Sequence, residues 1–173
     1  MNVAVIAGVA LVVYLLMTVH VRAETPGVNL IDDIFRDWFN FSESVSTETG
    51  VPTTLILAII RMESAGDPDA SGEIGEVGLM QITGAAWEDI LSLGSMTWHS
   101  SGVPREPYSN ILAGAKYLVI CNERMGSSIE NPVWFDALRA YNVGASVAAR
   151  DRIRGTNYAS RVETFRRYFE QVV

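Results

Sequence analysis

The stretch from Val51 to Thr83 constrains this chain most. An apolar helix ends on a carboxylate, Glu63, and a loop with four glycines and one proline follows. The chain regains order at Gly78-Leu79-Met80-Gln81. Pro52 suits the first helical turn, where its missing N–H costs nothing. Ile56, Ile59, Ile60 and Glu63 fall at i, i+3, i+4 and i+7, so Glu63 shares the apolar face. In the last turn a Glu meets the negative end of the helix macrodipole. Burial and that dipole both raise a carboxyl pKa, as a general acid near neutral pH requires. The competing reading is a frayed helix end with Glu63 in water, the ordinary place for Glu.

The 173 residues allow one domain plus an appendage. A net charge of −7 argues against a nucleic-acid partner. The charge is uneven. Glu24 to Gly50 holds Glu24, Asp32, Asp33, Asp37, Glu43 and Glu48 against Arg36. The C-terminal part carries Arg139, Arg150, Arg152, Arg154, Arg161, Arg166 and Arg167 against Asp151, Glu163 and Glu170. Such an end face suits an anionic polymer or membrane surface, or simply solvated helix faces. Cys121 is the single cysteine, which rules out an internal disulfide; its apolar helical setting fits a small buried residue. His20 and His99 are too few and too separate for a metal site or a His-based triad.

Met1 to Val21 contains no Lys, Arg, Asp or Glu and is close to bilayer-spanning length. A cleaved signal peptide, a retained anchor and a buried helix compete; the missing basic n-region favours the anchor. Residues 1–22 are therefore expected to be an anchor or signal segment, 23–29 a linker and 30–173 the folded domain. Ile31, Ile34, Phe35, Trp38 and Phe39 recur at helical spacing, and polar Ser42 to Gly50 is expected to turn the chain. Thr83 suits the N-cap of a helix through Ala86, Trp87, Ile90 and Leu91. Gly94 to Pro107 reads as a loop holding Trp98 and His99. Ser109 is the expected N-cap of the next helix, which ends near Gly126. Asn131-Pro132 opens another, with Trp134, Leu138 and Tyr141 on one face until Gly144 interrupts it. A short helix to Ile153 and a last one carrying Tyr158, Val162, Phe165 and Phe169 complete the chain. A short extended piece near Ile74 to Val77 is the only strand candidate. The expectation is a mainly α, compact multi-helix domain behind an N-terminal hydrophobic segment.

Several of these residues form ordered motifs. Glu63-Ser64 is followed by Asp67-Pro68, Ala70 and Ser71, then by Gly78-Leu79-Met80-Gln81. Asn110-Ile111 with Gly114 and Tyr117-Leu118 comes next, then Ala140-Tyr141-Asn142 with Gly144, and finally Tyr158 with Val162. In this order they resemble the soluble lytic transglycosylase (SLT) family, whose fold is goose-type-lysozyme-like, over roughly Ile31 to Tyr168. The resemblance implies cleavage of the β-1,4 bond between N-acetylmuramic acid and N-acetylglucosamine in peptidoglycan, leaving a 1,6-anhydro end. It implies one catalytic residue, Glu63, acting first as acid and then as base, with the substrate acetamido group assisting.

By the same carry-over, Ser64 hydrogen-bonds near the assisting acetamido group, Met80 packs on a sugar face and Gln81 bonds an acetamido group. Tyr141 orients Glu63 or binds sugar, Asn142 stands beside it, and Tyr158 closes the cleft. All but Gln81 have a plainer alternative: a turn residue for Ser64, core filling for Met80, a cap for Asn142, and core aromatics for both tyrosines. Many relatives carry a Glu just before the closing Tyr motif; here the residues are Arg154-Gly155-Thr156-Asn157-Tyr158. The loop from Ala70 to Gly78 also differs, holding Glu73 and Glu76.

That loop partly imitates a calcium site. Asp67, Asp69, Ser71, Gly72 and Ile74 occupy positions one, three, five, six and eight of an EF-hand pattern, but position twelve is Gly78. No metal and no cofactor is expected. The expected partners are peptidoglycan glycan strands, a membrane through residues 1–21, and secretion-system or phage-virion components, all in the cell envelope. Hydrolytic muramidase action on the same fold is the alternative reaction and needs a second carboxylate: Asp67, Glu73 or Glu76. A non-catalytic wall-binding assembly protein is the third reading.

Overall fold

The computed structural model describes residues 28–92 and 102–172. The expected N-terminal segment at 1–22, His20, most of the linker at 23–29, Trp98 and His99 lie outside the described residues, as do the side chains of Ile31 and Phe35. Among the described residues no helix is long and apolar enough to cross a membrane.

The described residues form seven helices: α1 (Val28–Thr49), α2 (Thr53–Glu63), α3 (Gly84–Ser92), α4 (Pro107–Arg124), α5 (Trp134–Val143), α6 (Ala145–Arg150) and α7 (Thr156–Phe169). The mainly α expectation holds. The centre is α2. Its run from Leu55 to Ile60 is buried without a break, so it is apolar all round rather than on one face. It packs between α1 and α7. α4 packs on α1, α3 and α5, while α5 also touches α6 and α7. Burying such a helix contributes about 1.5–3 kcal/mol per large aliphatic side chain, so its C-terminal end is held firmly.

Four local expectations need correction. Ser42 to Gly50 does not turn the chain; α1 continues to Thr49. Its polar residues bond back to their own helix: Ser44 Oγ donates to Asn40 O at 3.0 Å, Thr47 Oγ1 to Glu43 O at 3.1 Å and Thr49 Oγ1 to Val45 O at 2.8 Å. Buried Ser42 and Val45 keep this last part against the core. Pro52 is the N-cap of α2, one position before its first helical residue. The N-cap of α4 is Glu106 rather than Ser109. With Pro107 as the first helical residue, the Glu106 carboxylate accepts from Tyr108 N at 3.1 Å and Ser109 N at 2.8 Å. Ile74 to Val77 forms no strand; the loop carries only isolated bridges, Ser71 to Val77 and Val77 to Ile82, and Ile74 is exposed.

The remaining boundaries agree more closely. Thr83 Oγ1 accepts from Ala86 N at 3.1 Å, capping α3. α5 starts at Trp134, after Val133, and stops at Gly144. Cys121 is buried, and that burial pushes its thiol up to about 12.

Candidate active site

Glu63 closes α2 and is half-buried. Its carboxyl is pushed up to about 7, chiefly by burial, against a hydrogen bond from Tyr158 that pulls the other way; the charge of Glu76 adds to the rise. The Tyr158 hydroxyl donates to Glu63 Oε1 at 2.5 Å. Tyr158 is itself buried in the first turn of α7, and burial together with the Glu63 charge raises its own pKa well above 10.

The turn after Glu63 is stapled to its surroundings. Ser64 Oγ donates to Ile60 O at 3.2 Å and accepts from Gly66 N at 3.2 Å. Trp38 Nε1 donates to Gly66 O at 3.1 Å, tying the turn to α1. Ala65 between them sits at φ 54°, in the left-handed region that a side chain rarely occupies. Gln81, at the other edge of the loop, has φ 47°. Such positions cost about 1–3 kcal/mol each and persist only where neighbours enforce them.

At Gln81 the enforcement is visible. Its Nε2 donates to Ala70 O at 3.2 Å and to Gly78 O at 2.8 Å, while Gly78 N donates to Ala70 O at 2.9 Å. The far side of the loop is gripped by Asn110, a buried amide at the start of α4. Asn110 Oδ1 accepts from Met80 N at 2.9 Å; its Nδ2 donates to Val77 O and to Pro104 O, both at 2.9 Å. Gly78, at φ 76°, lies so close that a Cβ there would sit 2.6 Å from the Asn110 amide. The sequence offered a weak sign of this bracket, an Asn opening an apolar helical run.

Met80 is fully buried and fills the space that a side chain at Gly114 would need; a Cβ at Gly114 would lie 2.4 Å from Met80 Sδ. That is the core-filling alternative. Its backbone carbonyl accepts from Tyr141 Oη at 2.8 Å. The Tyr141 ring rests against Tyr117 with centroids 5.3 Å apart, and burial, with the Glu63 charge adding to it, raises its hydroxyl pKa. Thus Tyr158, not Tyr141, makes the hydrogen bond to Glu63. Tyr141 instead braces the loop from beside the carboxylate. Asn142 is exposed at the end of α5.

Three dimensions single out one of the loop carboxylates and give one arginine a new place. Glu76 belongs to the electrostatic surroundings of Glu63. It folds back on its own loop, where Oε2 accepts from Ile74 N at 3.0 Å. Arg139 leaves the basic end face on which sequence reasoning placed it: it is 4% exposed and hydrogen-bonded on several sides.

The site is thus a carboxyl of near-neutral pKa at the end of a buried helix, fixed by a tyrosine from a distant helix and flanked by a braced glycine-containing loop. Its scaffold is the helical fold of the soluble lytic transglycosylases. The 70-kDa soluble lytic transglycosylase of Escherichia coli superposes with a TM-score of 0.61 at 23% identity, over 76% of this chain and 24% of that one. A complex of the 70-kDa soluble lytic transglycosylase with bulgecin A gives 0.66 at 21% identity, over 83% and 25%. The family model described as the transglycosylase SLT domain matches residues 40–161, and the chain belongs to that family. Membrane-bound lytic murein transglycosylase C of Salmonella paratyphi B and that of Salmonella typhimurium are each 32% identical over 142 residues. The alignment covers 78% of this chain, which spans 39% of the length of either relative.

Proposed function

We propose that this chain is a peptidoglycan lytic transglycosylase that cleaves the β-1,4 bond between N-acetylmuramic acid and N-acetylglucosamine and leaves a 1,6-anhydro end. The observation that carries this reading is Glu63 itself, a half-buried helix-terminal carboxyl with a pKa of about 7 and a tyrosine donor at 2.5 Å. A group with that pKa holds its proton often enough to give it and loses it readily enough to take one back. In the first step Glu63 protonates the leaving glycosidic oxygen while the substrate acetamido group assists at the anomeric carbon. The Tyr158 hydrogen bond stabilises the carboxylate so formed. In the second step that carboxylate takes the proton of the C6 hydroxyl as its oxygen closes the ring, so no water is consumed. Family membership and the named relatives support the same substrate class.

Gln81 suits acetamido recognition: its Nε2 serves the loop, and Oε1 is left as an acceptor for an acetamido N–H. Ser64, Tyr141, Asn142 and Tyr158 are the further sugar contacts in this reading, while Met80 contributes by holding the loop from within the core. Residues 1–22 act as an anchor or export segment, the residues between them and α1 as linker, and the helical domain from α1 onward as the enzyme, so that the chain works in the cell envelope. Local opening of the wall, for a secretion system or a phage virion, is the setting that belongs to this reading.

The second reading is a hydrolytic muramidase. The proximity of Glu76 favours it, since a second carboxylate beside the acid is what activation of water needs. The test of the leading reading is lysis of purified peptidoglycan by the wild-type protein and by Glu63→Gln. Loss of lysis in the variant is expected; undiminished lysis refutes the assignment.

A further inference from the structure

We propose that Arg139 is the positioning residue that sets Tyr158 against Glu63, by clamping the connection that leads into α7. The inference rests on the reading of Glu63 as the acid and names the support of that group.

Arg139 sits on α5 with its guanidinium turned into the connection between α6 and α7. Its Nε donates to Arg154 O at 3.1 Å; Nη2 donates to Ala148 O at 2.9 Å and to Asp151 O at 2.5 Å; Nη1 donates to Asp136 Oδ1 at 2.8 Å. Three carbonyls from one short stretch of chain therefore converge on one side chain. A buried guanidinium carries a heavy desolvation cost, and this set of acceptors offsets it. The backbone is drawn in as well. Gly155, at φ 79°, packs on Arg139 so closely that a Cβ there would lie 2.9 Å from Arg139 Cα and O. The connection has its own stiffening: Asp151 Oδ1 accepts from Ile153 N at 2.9 Å and Arg154 N at 3.2 Å, and Thr156 Oγ1 donates to Ile153 O at 2.7 Å.

Gly155 is the N-cap of α7, and Tyr158 stands three residues beyond it. The register of that first turn is fixed from the Arg139 side, and the Tyr158–Glu63 bond is its other end. The charged groups around Arg139 are Asp136, Asp151 and Arg154; those facing Glu63 are Tyr158, Tyr141 and Glu76. Only Tyr158 links the two sets through α7.

The test is a titration of the Glu63 side-chain carboxyl by carbon-13 NMR in the wild type, Arg139→Gln, Tyr158→Phe and the double variant. Loosening the clamp withdraws the Tyr158 donor, so Arg139→Gln raises the midpoint by about half a unit or more. Tyr158→Phe raises it too, and the double variant goes no higher than Tyr158→Phe alone. Arg139→Lys, which keeps the charge but not the fork, shifts it less in the same direction and carries the test if Arg139→Gln does not fold. A folded Arg139 variant with an unmoved midpoint, or shifts that simply add, overturns the proposal. The titration does not depend on catalysis. Failure of the catalytic reading would show separately, as undiminished wall lysis by Glu63→Gln.

Discussion

Tyr158 reaches Glu63 from 95 residues further along the chain, and its hydroxyl donates to Glu63 Oε1 at 2.5 Å. The bond favours the ionised carboxyl, yet burial and Glu76 still hold the pKa up to about 7. The two influences are separable. In Tyr158→Phe the opposing bond is gone, so the Glu63 midpoint moves above about 7. The basic limb of the pH–rate profile moves with it, and the maximal rate falls because the carboxylate formed after proton transfer has lost a donor. Wall-lysis rates between acid and mildly alkaline pH check this.

Glu76 acts in the other direction. Replacing it with Gln removes a negative charge near Glu63 and lowers the Glu63 midpoint. The expected result is a pH profile displaced toward acid with lysis retained. Loss of all lysis with the fold intact would instead give Glu76 a direct part in the reaction, as the muramidase reading requires.

Glu63 also couples stability to pH. Its carboxyl binds a proton more tightly in the folded chain, about 7, than at its ordinary 4.5. Between those values the folded state holds more protons, so stability falls as pH rises through the window and the whole cost is present above about 7. Glu63→Gln removes an ionisation that costs at most about 3.5 kcal/mol. The variant is therefore more stable than wild type at pH values above about 7 and little different below about 4.5, in urea unfolding at the two extremes.

The bracket around the loop predicts destabilisation that also reaches the site. Asn110→Ala leaves Met80 N and Pro104 O without their partner, while Val77 O keeps its bond from Ile82 N, at a cost of about 2 kcal/mol or more. Gly114→Ala forces Met80 out of its place, at about 1–3 kcal/mol. Denaturant unfolding gives both losses. The Gly114 variant is also expected to lower wall lysis, because Met80 carries the carbonyl that holds Tyr141.

Much of this was legible in the chain. Val51 to Thr83 declared an apolar helix ending on an acid, because helical spacing and a carboxylate in the last turn are local facts. The order of the motifs carried the fold. What stayed hidden was pairwise. Tyr141 and Tyr158 both lie on apolar helical stripes, and spacing could not say which would meet Glu63. Arg139 looked like one more cation of a solvated face, since charge counting cannot see three carbonyls converging from a later connection. The end of α1 is hidden in the sequence because Ser and Thr signal turns, while here their hydroxyls bond back to the helix. Glu106 does not announce itself as a cap, because Ser, present at Ser109, is the more common capping residue.

The central claim is that Glu63 alone gives and takes the proton while the substrate closes its own ring. Digestion of purified peptidoglycan in water enriched in oxygen-18, followed by mass spectrometry of the new glycan ends, tests it most directly. Ring closure predicts 1,6-anhydro ends that carry no label, formed by the wild type and not by Glu63→Gln. Labelled reducing ends from the wild-type protein would contradict it and give the reaction to water.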